Sequence, residues 1–267
     1  MCFVAVRGKS LNMFDSGLFA SPLVIGFTVF AFVLAGFVKG VIGMGLPTVL
    51  VGLLSLVMSP AQAAALLVIP SFITNIWQFL FGPHRLATIR RLWPMMIAIC
   101  AGTWLSNYVG LGLLTAEAAG RARIALGVAL IAYALVGFTN VRFMVRREAE
   151  PWLGPLVGAV TGMILAVTGV FVIPAVPYLQ AMKLDRDELV QALGLNFLVA
   201  TVALAGSLTG NGVVTAEIGW ASGLAVAPAL LGMAVGQWLR LRIRPDVFRL
   251  CFFAGMLLLG AHLALLH

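Results

Sequence analysis

Lys39 is the residue whose chemistry most needs explaining. It is the only charged residue between Asp15 and Arg85, and it lies inside Gly36-Phe37-Val38-Lys39-Gly40-Val41-Ile42-Gly43-Met44-Gly45-Leu46-Pro47. Each glycine weakens a helix by roughly 1 kcal/mol relative to alanine, and proline by about 3 kcal/mol. The spacing therefore predicts a helix break over Gly36–Pro47. A break frees backbone N–H groups, and a new helix N-terminus attracts anions. With an ammonium beside Gly40, Gly43 and Gly45, the chemistry implied is capture of a small anion. Two other readings stay open. The glycines also suit close helix packing, and the lysine also suits snorkelling to the membrane interface.

A second polar group follows in Pro70-Ser71-Phe72-Ile73-Thr74-Asn75-Ile76-Trp77-Gln78. Ser71, Asn75 and Gln78 are three and four residues apart, so they share one helix face. Amides donate hydrogen bonds to oxyanions without adding charge. They serve equally well as polar contacts between helices. The counterpart in the second half runs from Thr161-Gly162 through Thr168-Gly169 to Pro174 and Pro177, with Gln191 and Asn196 in the helix that follows. Here a break is expected over Gly158–Pro177, with Thr161, Thr168 and the two amides as donors, or else as packing residues.

Other chemistry lacks its residues. No Ser/His/Asp constellation, nucleotide-binding loop or metal-ligand spacing occurs. His84, His262 and His267 lie near segment ends, and Cys2, Cys100 and Cys251 are far apart. No enzyme activity, metal or cofactor is therefore expected. The basic residues fall in short clusters between apolar runs, which points to a membrane protein and away from a nucleic-acid partner.

The elements that must position these residues are membrane spans. Of 267 residues, 62% are apolar and 10% charged, with a net charge of +8. Soluble domains have roughly 45–50% apolar and about 25% charged residues. Runs free of Asp, Glu, Lys and Arg cover Ser16–Val38, Gly40–His84, Leu92–Ala116, Ile124–Val141, Pro151–Met182, Leu189–Ala216, Ile218–Leu239 and Leu250–His267. A span needs about 20 residues, so Gly40–His84 reads as Val41–Met58 and Gln62–Phe81, divided at Ser59-Pro60. Pro151–Met182 reads as two shortened or broken segments. Counted this way, one side collects Arg85, Arg90, Arg91, Arg142, Arg146, Arg147, Lys183, Arg186, Arg240, Arg242, Arg244 and Arg249. The other collects Arg7, Lys9, Arg121 and Arg123. The rule that basic loops stay inside then puts both termini outside. The N-terminus shows no cleavage motif, so the first helix is expected to act as an uncleaved anchor.

The two halves match in order. Lys39-Gly40-Val41-Ile42 answers to Thr161-Gly162-Met163-Ile164, and Gln62-Ala63-Ala64 to Gln191-Ala192-Leu193. Pro94 with Gly102-Thr103-Trp104-Leu105 answers to Pro228 with Gly236-Gln237-Trp238-Leu239, and Arg123 to Arg249. An odd number of segments per half makes the second copy enter the bilayer inverted, as in many secondary transporters. The expected fold is an all-α polytopic membrane protein with about 8–10 transmembrane segments in two inverted repeats with broken or short helices. The divisions are an N-terminal extension 1–21, a first repeat 22–141, a cytoplasmic linker 142–151 and a second repeat 152–267.

The glycine motif Lys39–Pro47, Gln62 with the Ser71–Gln78 helix, and the repeated Gly-x-Trp-Leu at Gly102 and Gly236 resemble the sulfite exporter TauE/SafE family. The resemblance runs from about residue 20 to the end. It implies transport of sulfite, organosulfonates or related organic acids across the bacterial cytoplasmic (inner) membrane. Leu165, Ala166, Val167 and Thr168 stand where many members have further glycines. The expected partners are a small anionic substrate and the lipid bilayer, with a homo-oligomer left open. Export suits an anion, since leaving a negative interior gains about 2.3 kcal/mol per charge per 100 mV. The alternatives are a non-transporting scaffold or assembly subunit, or a membrane-embedded enzyme.

Overall fold

The computed structural model describes residues 21–115, 117–139, 144–240, 242 and 245–265, and among them there are helices and no strands. Almost all of the expected N-terminal extension, with Arg7 and Lys9, lies outside the described residues, as do Arg142, Arg244 and His267.

The helices are α1 Pro22–Ile42, α2 Leu46–Leu54, α3 Pro60–Leu80, α4 Arg85–Tyr108, α5 Ala119–Thr139, α6 Glu150–Thr168, α7 Ala175–Ala181, α8 Arg186–Gly210, α9 Ala216–Leu224, α10 Val226–Arg240 and α11 Pro245–Leu265. Among the described residues seven stretches are long and apolar enough to cross a membrane, α9 and α10 counting as one. This is a multi-pass membrane protein. The helix α4 is 24 residues long but carries Arg85, Arg90 and Arg91 near its start.

Local rules start several of these helices. Proline opens α1 and α3, where its missing N–H costs nothing. Capping boxes close the entries of α3 (Ser59 with Gln62) and α8 (Asp185 with Glu188). Pro70 interrupts α3, and Ser222 of α9 donates to the Leu66 carbonyl at 2.8 Å. A neighbouring hydroxyl thus serves a carbonyl that the proline leaves without its usual donor.

The expected Val41–Met58 span is a short helix instead, and one of the two shortened segments expected over Pro151–Met182 is the seven-residue α7. The first helix does not stop at Val38; it runs through Gly36, Lys39 and Gly40 to Ile42. The expected Val41–Met58 span reduces to the nine residues of α2. The break is only Gly43-Met44-Gly45, where Gly43 (φ 85°) and Gly45 (φ 104°) take left-handed backbone that costs other residues roughly 1–2 kcal/mol. In the second half α6 runs unbroken through Gly158 and Gly162 to Thr168. Gly169 (φ 74°) ends it, and α7 begins at Ala175.

The remaining motif glycines let helices touch. A Cβ on Gly36 or Gly40 would strike the carbonyls of Ala229 and Met233 in α10, and one on Gly232 or Gly236 those of Val33 and Phe37 in α1. Likewise Gly158 and Gly162 of α6 lie on the carbonyls of Met95 and Ile99 in α4, and Gly102 on that of Ala159. In both pairs the helices run side by side in the same direction. Without Cβ atoms the backbones approach closely, which is how helices associate in lipid. In the Gly-x-Trp-Leu repeat, therefore, the glycines pack inward while Trp104 and Trp238 stay exposed.

One end of the bundle gathers the charge. There the His84 N–H donates to the Gln191 amide at 2.9 Å, the Val145 N–H to the Ala181 carbonyl at 3.0 Å, and Arg249 to the Gly137 carbonyl at 2.7 Å. Arg91 and Glu150 pair across α4 and α6 at 2.5 Å. These contacts bring Arg85, Arg90, Arg91, Arg146, Arg147, Lys183 and Arg249 to the same end. Arg123 lies at the opposite end, donating to the Met58 carbonyl at 3.2 Å.

Candidate anion site

The last turn of α1 carries Lys39, which is only 4% exposed. Its placement has a local reason, because a cation near a helix C-terminus meets the negative end of the dipole. The ammonium donates to Thr74 Oγ1 at 3.0 Å and to Asn75 Oδ1, both on α3. Thr74 Oγ1 in turn donates to the Pro70 carbonyl at 2.8 Å. Asn75 Nδ2 donates to Ser71 Oγ at 2.9 Å, Ser71 Oγ lies 3.1 Å from Thr201 Oγ1, and Thr201 Oγ1 donates to the Phe197 carbonyl at 2.6 Å. Each hydroxyl has one proton, so Ser71 donates to Thr201. The chain of donors points one way, from the lysine across α3 to α8.

All the lysine's acceptors are neutral. The ion pair recorded among the described residues is that of Arg91 with Glu150. An ammonium has three N–H donors, and two are used. Beside it a cleft of about 380 Å³ is lined by Lys39, Gly40, Gly43, Thr74 and Gln78, with Asp187, Gln237 and Arg240 also in its wall. A charge buried within a membrane-spanning helix is costly to keep, and such charges mark solute paths. The group can therefore hold a small anion, with the lysine supplying charge and the Thr74–Asn75 pair fixing its position.

Not every expected donor joins this group. Lys39, Ser71 and Asn75 come together, and Gly40 and Gly43 line the same cleft. Gly45 faces the Val38 and Phe252 side chains instead. Gln78 Nε2 donates to the carbonyls of Gly43 (3.2 Å) and Val190 (2.9 Å), bracing the break against α8. Gln191 braces the α3–α4 link, donating to Phe79 while accepting from His84. Thr161 and Thr168 donate to carbonyls of their own helix, at Val157 and Ile164, both at 2.7 Å. These four side chains are engaged with backbone.

Asn196 is different. It is fully buried, and neither its Nδ2 nor its Oδ1 has a partner. It lies one helical turn from Ala192, which lines another cleft of about 380 Å³ with Arg90, Arg91 and Arg147. Thr74 and Thr201 belong to the Lys39 network, and sequence reasoning did not single them out. Thr74 adjoins Asn75, which is a usable signal. Nothing near Thr201 in the chain links it to residue 71.

A model of the family described as Sulfite exporter TauE/SafE matches residues 28–263. No curated protein and no solved structure matches the chain.

Proposed function

The chain belongs to the sulfite exporter TauE/SafE family of membrane transporters, and from that premise we propose that it exports small anions of the sulfite, sulfonate or related organic-acid class through the cleft at Lys39. One observation carries the reading: a buried ammonium, held by neutral oxygens alone, beside an open cleft. A solute anion supplies the missing counter-charge when it enters. An outward path needs no carboxylate relay, because a negative interior drives an anion out by about 2.3 kcal/mol per charge per 100 mV.

Orientation follows from the same proposal. The basic end faces the cytoplasm and both termini lie outside, in the bacterial inner membrane, by the bias of basic loops. The halves 22–141 and 152–267 are copies related by inversion, each with one broken helix. Supporting this, α1 packs on α10 as α6 packs on α4, through glycines at corresponding places, while α1 and α6 run in opposite directions between the two ends. Gly43 and Gly169 close α1 and α6 with the same left-handed cap. In the second half Asn196 contributes, its amide unoccupied, while Gln191, Thr161 and Thr168 hold the backbone in place.

The test is efflux from proteoliposomes loaded with sulfite under an inside-negative potential. Lys39→Gln is expected to lower efflux at least about ten-fold, the equivalent of about 1.4 kcal/mol. Lys39→Arg, which keeps the charge, retains part of it. Unchanged efflux in Lys39→Gln overturns the assignment.

A further inference from the structure

The cleft beside Lys39 has one wall that plays no part in holding the charge. Thr74, which accepts from the lysine, is followed along the same stripe of α3 and its cap by Trp77 and Phe81. Both rings line the cleft. They stack on each other, with centroids 4.1 Å apart and planes at 29°. Trp77 is 57% exposed and Phe81 70%. At 1.5 Å of rise per residue the stripe runs about 10 Å from Thr74 to Phe81. Met233 of α10 adds a further apolar side chain to the lining. Asp187 and Arg240 stand in the wall as well, an acid and a base whose formal charges cancel.

An ammonium at one end of a cleft and a pair of uncovered rings along its side select for two properties in one solute. A bare inorganic anion meets the lysine and leaves both rings in contact with water. An anion that carries hydrocarbon covers them as well, and removing that apolar surface from water is favourable. A tryptophan that only anchors the protein at the membrane interface needs no place in a solute cleft. We infer that Trp77 and Phe81 set the specificity of the Lys39 cleft, holding the apolar body of an organic sulfonate or carboxylate whose head group sits on Lys39. This rests on the Lys39 reading and deepens it, because the rings name the part of the solute that the lysine does not touch.

The experiment uses the full chain in phosphatidylcholine nanodiscs, titrated calorimetrically with methanesulfonate and butanesulfonate, with empty discs subtracting partition into lipid. The two ligands carry the same head group and charge, so the ratio of their affinities reports the body alone. Each methylene buried on the rings tightens binding by up to about four-fold, and the native chain is expected to favour butanesulfonate at least about ten-fold. Trp77→Ala is expected to cut that ratio at least about five-fold, the size of effect that follows when a covered aromatic face is removed. Trp77→Phe keeps a ring and most of the ratio, and Phe81→Ala lowers it in the same direction as Trp77→Ala. Lys39→Gln is expected to weaken both sulfonates together, since both place their head group there. A native ratio near one overturns the inference. So does a ratio that neither Trp77→Ala nor Phe81→Ala changes, and Trp77 is then an interface anchor alone. In either case a loss of both ligands in Lys39→Gln leaves the Lys39 reading standing. If Lys39→Gln weakens neither sulfonate, the Lys39 reading itself fails and takes this inference with it.

Discussion

Replacing Asn196 by leucine sets stability against transport in one substitution. The side chain is fully buried and both polar atoms lack partners. Burying an amide without hydrogen bonds costs roughly 1–3 kcal/mol on the scale of protein mutational data. Leucine has the same number of side-chain heavy atoms and the same branching at Cγ but no polar atom, so Asn196→Leu is expected to stabilise the protein by up to about that amount. In a chain of this length each kcal/mol moves the midpoint by roughly 2–4 °C. Thermal unfolding in detergent should therefore show a rise of several degrees. Under the proposed function the amide is kept at a cost to stability for use in transport, and sulfite efflux is expected to fall in the same variant. Two results refute the reasoning. A lower midpoint means the amide has partners in the folded protein. A higher midpoint with full efflux means that the amide serves no solute.

Gly43→Ala and Gly236→Val separate two uses of glycine. At Gly43 there is open space but a φ of 85°, so alanine is expected to cost about 1–2 kcal/mol of conformational strain alone. At Gly236 a side chain meets the Phe37 carbonyl, and valine is expected to cost about 1–3 kcal/mol and to loosen α1 from α10. Thermal midpoints and crosslinking between cysteines placed in those two helices check both. The Arg91–Glu150 pair is partly exposed, so either single alanine is expected to cost no more than about 1 kcal/mol, and the charge-swapped double variant to recover most of it; a double-mutant cycle measures this. In a background without the native cysteines, Lys183→Cys should label with a membrane-impermeant reagent only from the cytoplasmic side, and Val214→Cys only from outside. The reverse pattern overturns the proposed orientation.

What the sequence determined by itself was set by local and additive physics. Long uncharged runs have to leave water, so the membrane class and most helices were legible from composition. Basic residues resist crossing the bilayer, and the clusters at Arg85–Arg91, Arg146–Arg147 and Lys183 do collect at one end. Ser71 and Asn75 share a face because helical spacing requires it, and the structure joins them at 2.9 Å. The tertiary structure decided which glycines break a helix and which pack one. Gly40 and Gly43 are alike in sequence, but Gly40 lies on the Met233 carbonyl almost two hundred residues away while Gly43 has open space and a left-handed φ. It also decided that Gln78 and Gln191 brace backbone while Asn196 stands alone, and that Thr201 completes the Lys39 network. The physical reason is common to all of these: a buried amide, hydroxyl or missing Cβ takes its role from the atoms opposite it, and helix spacing along the chain does not specify those.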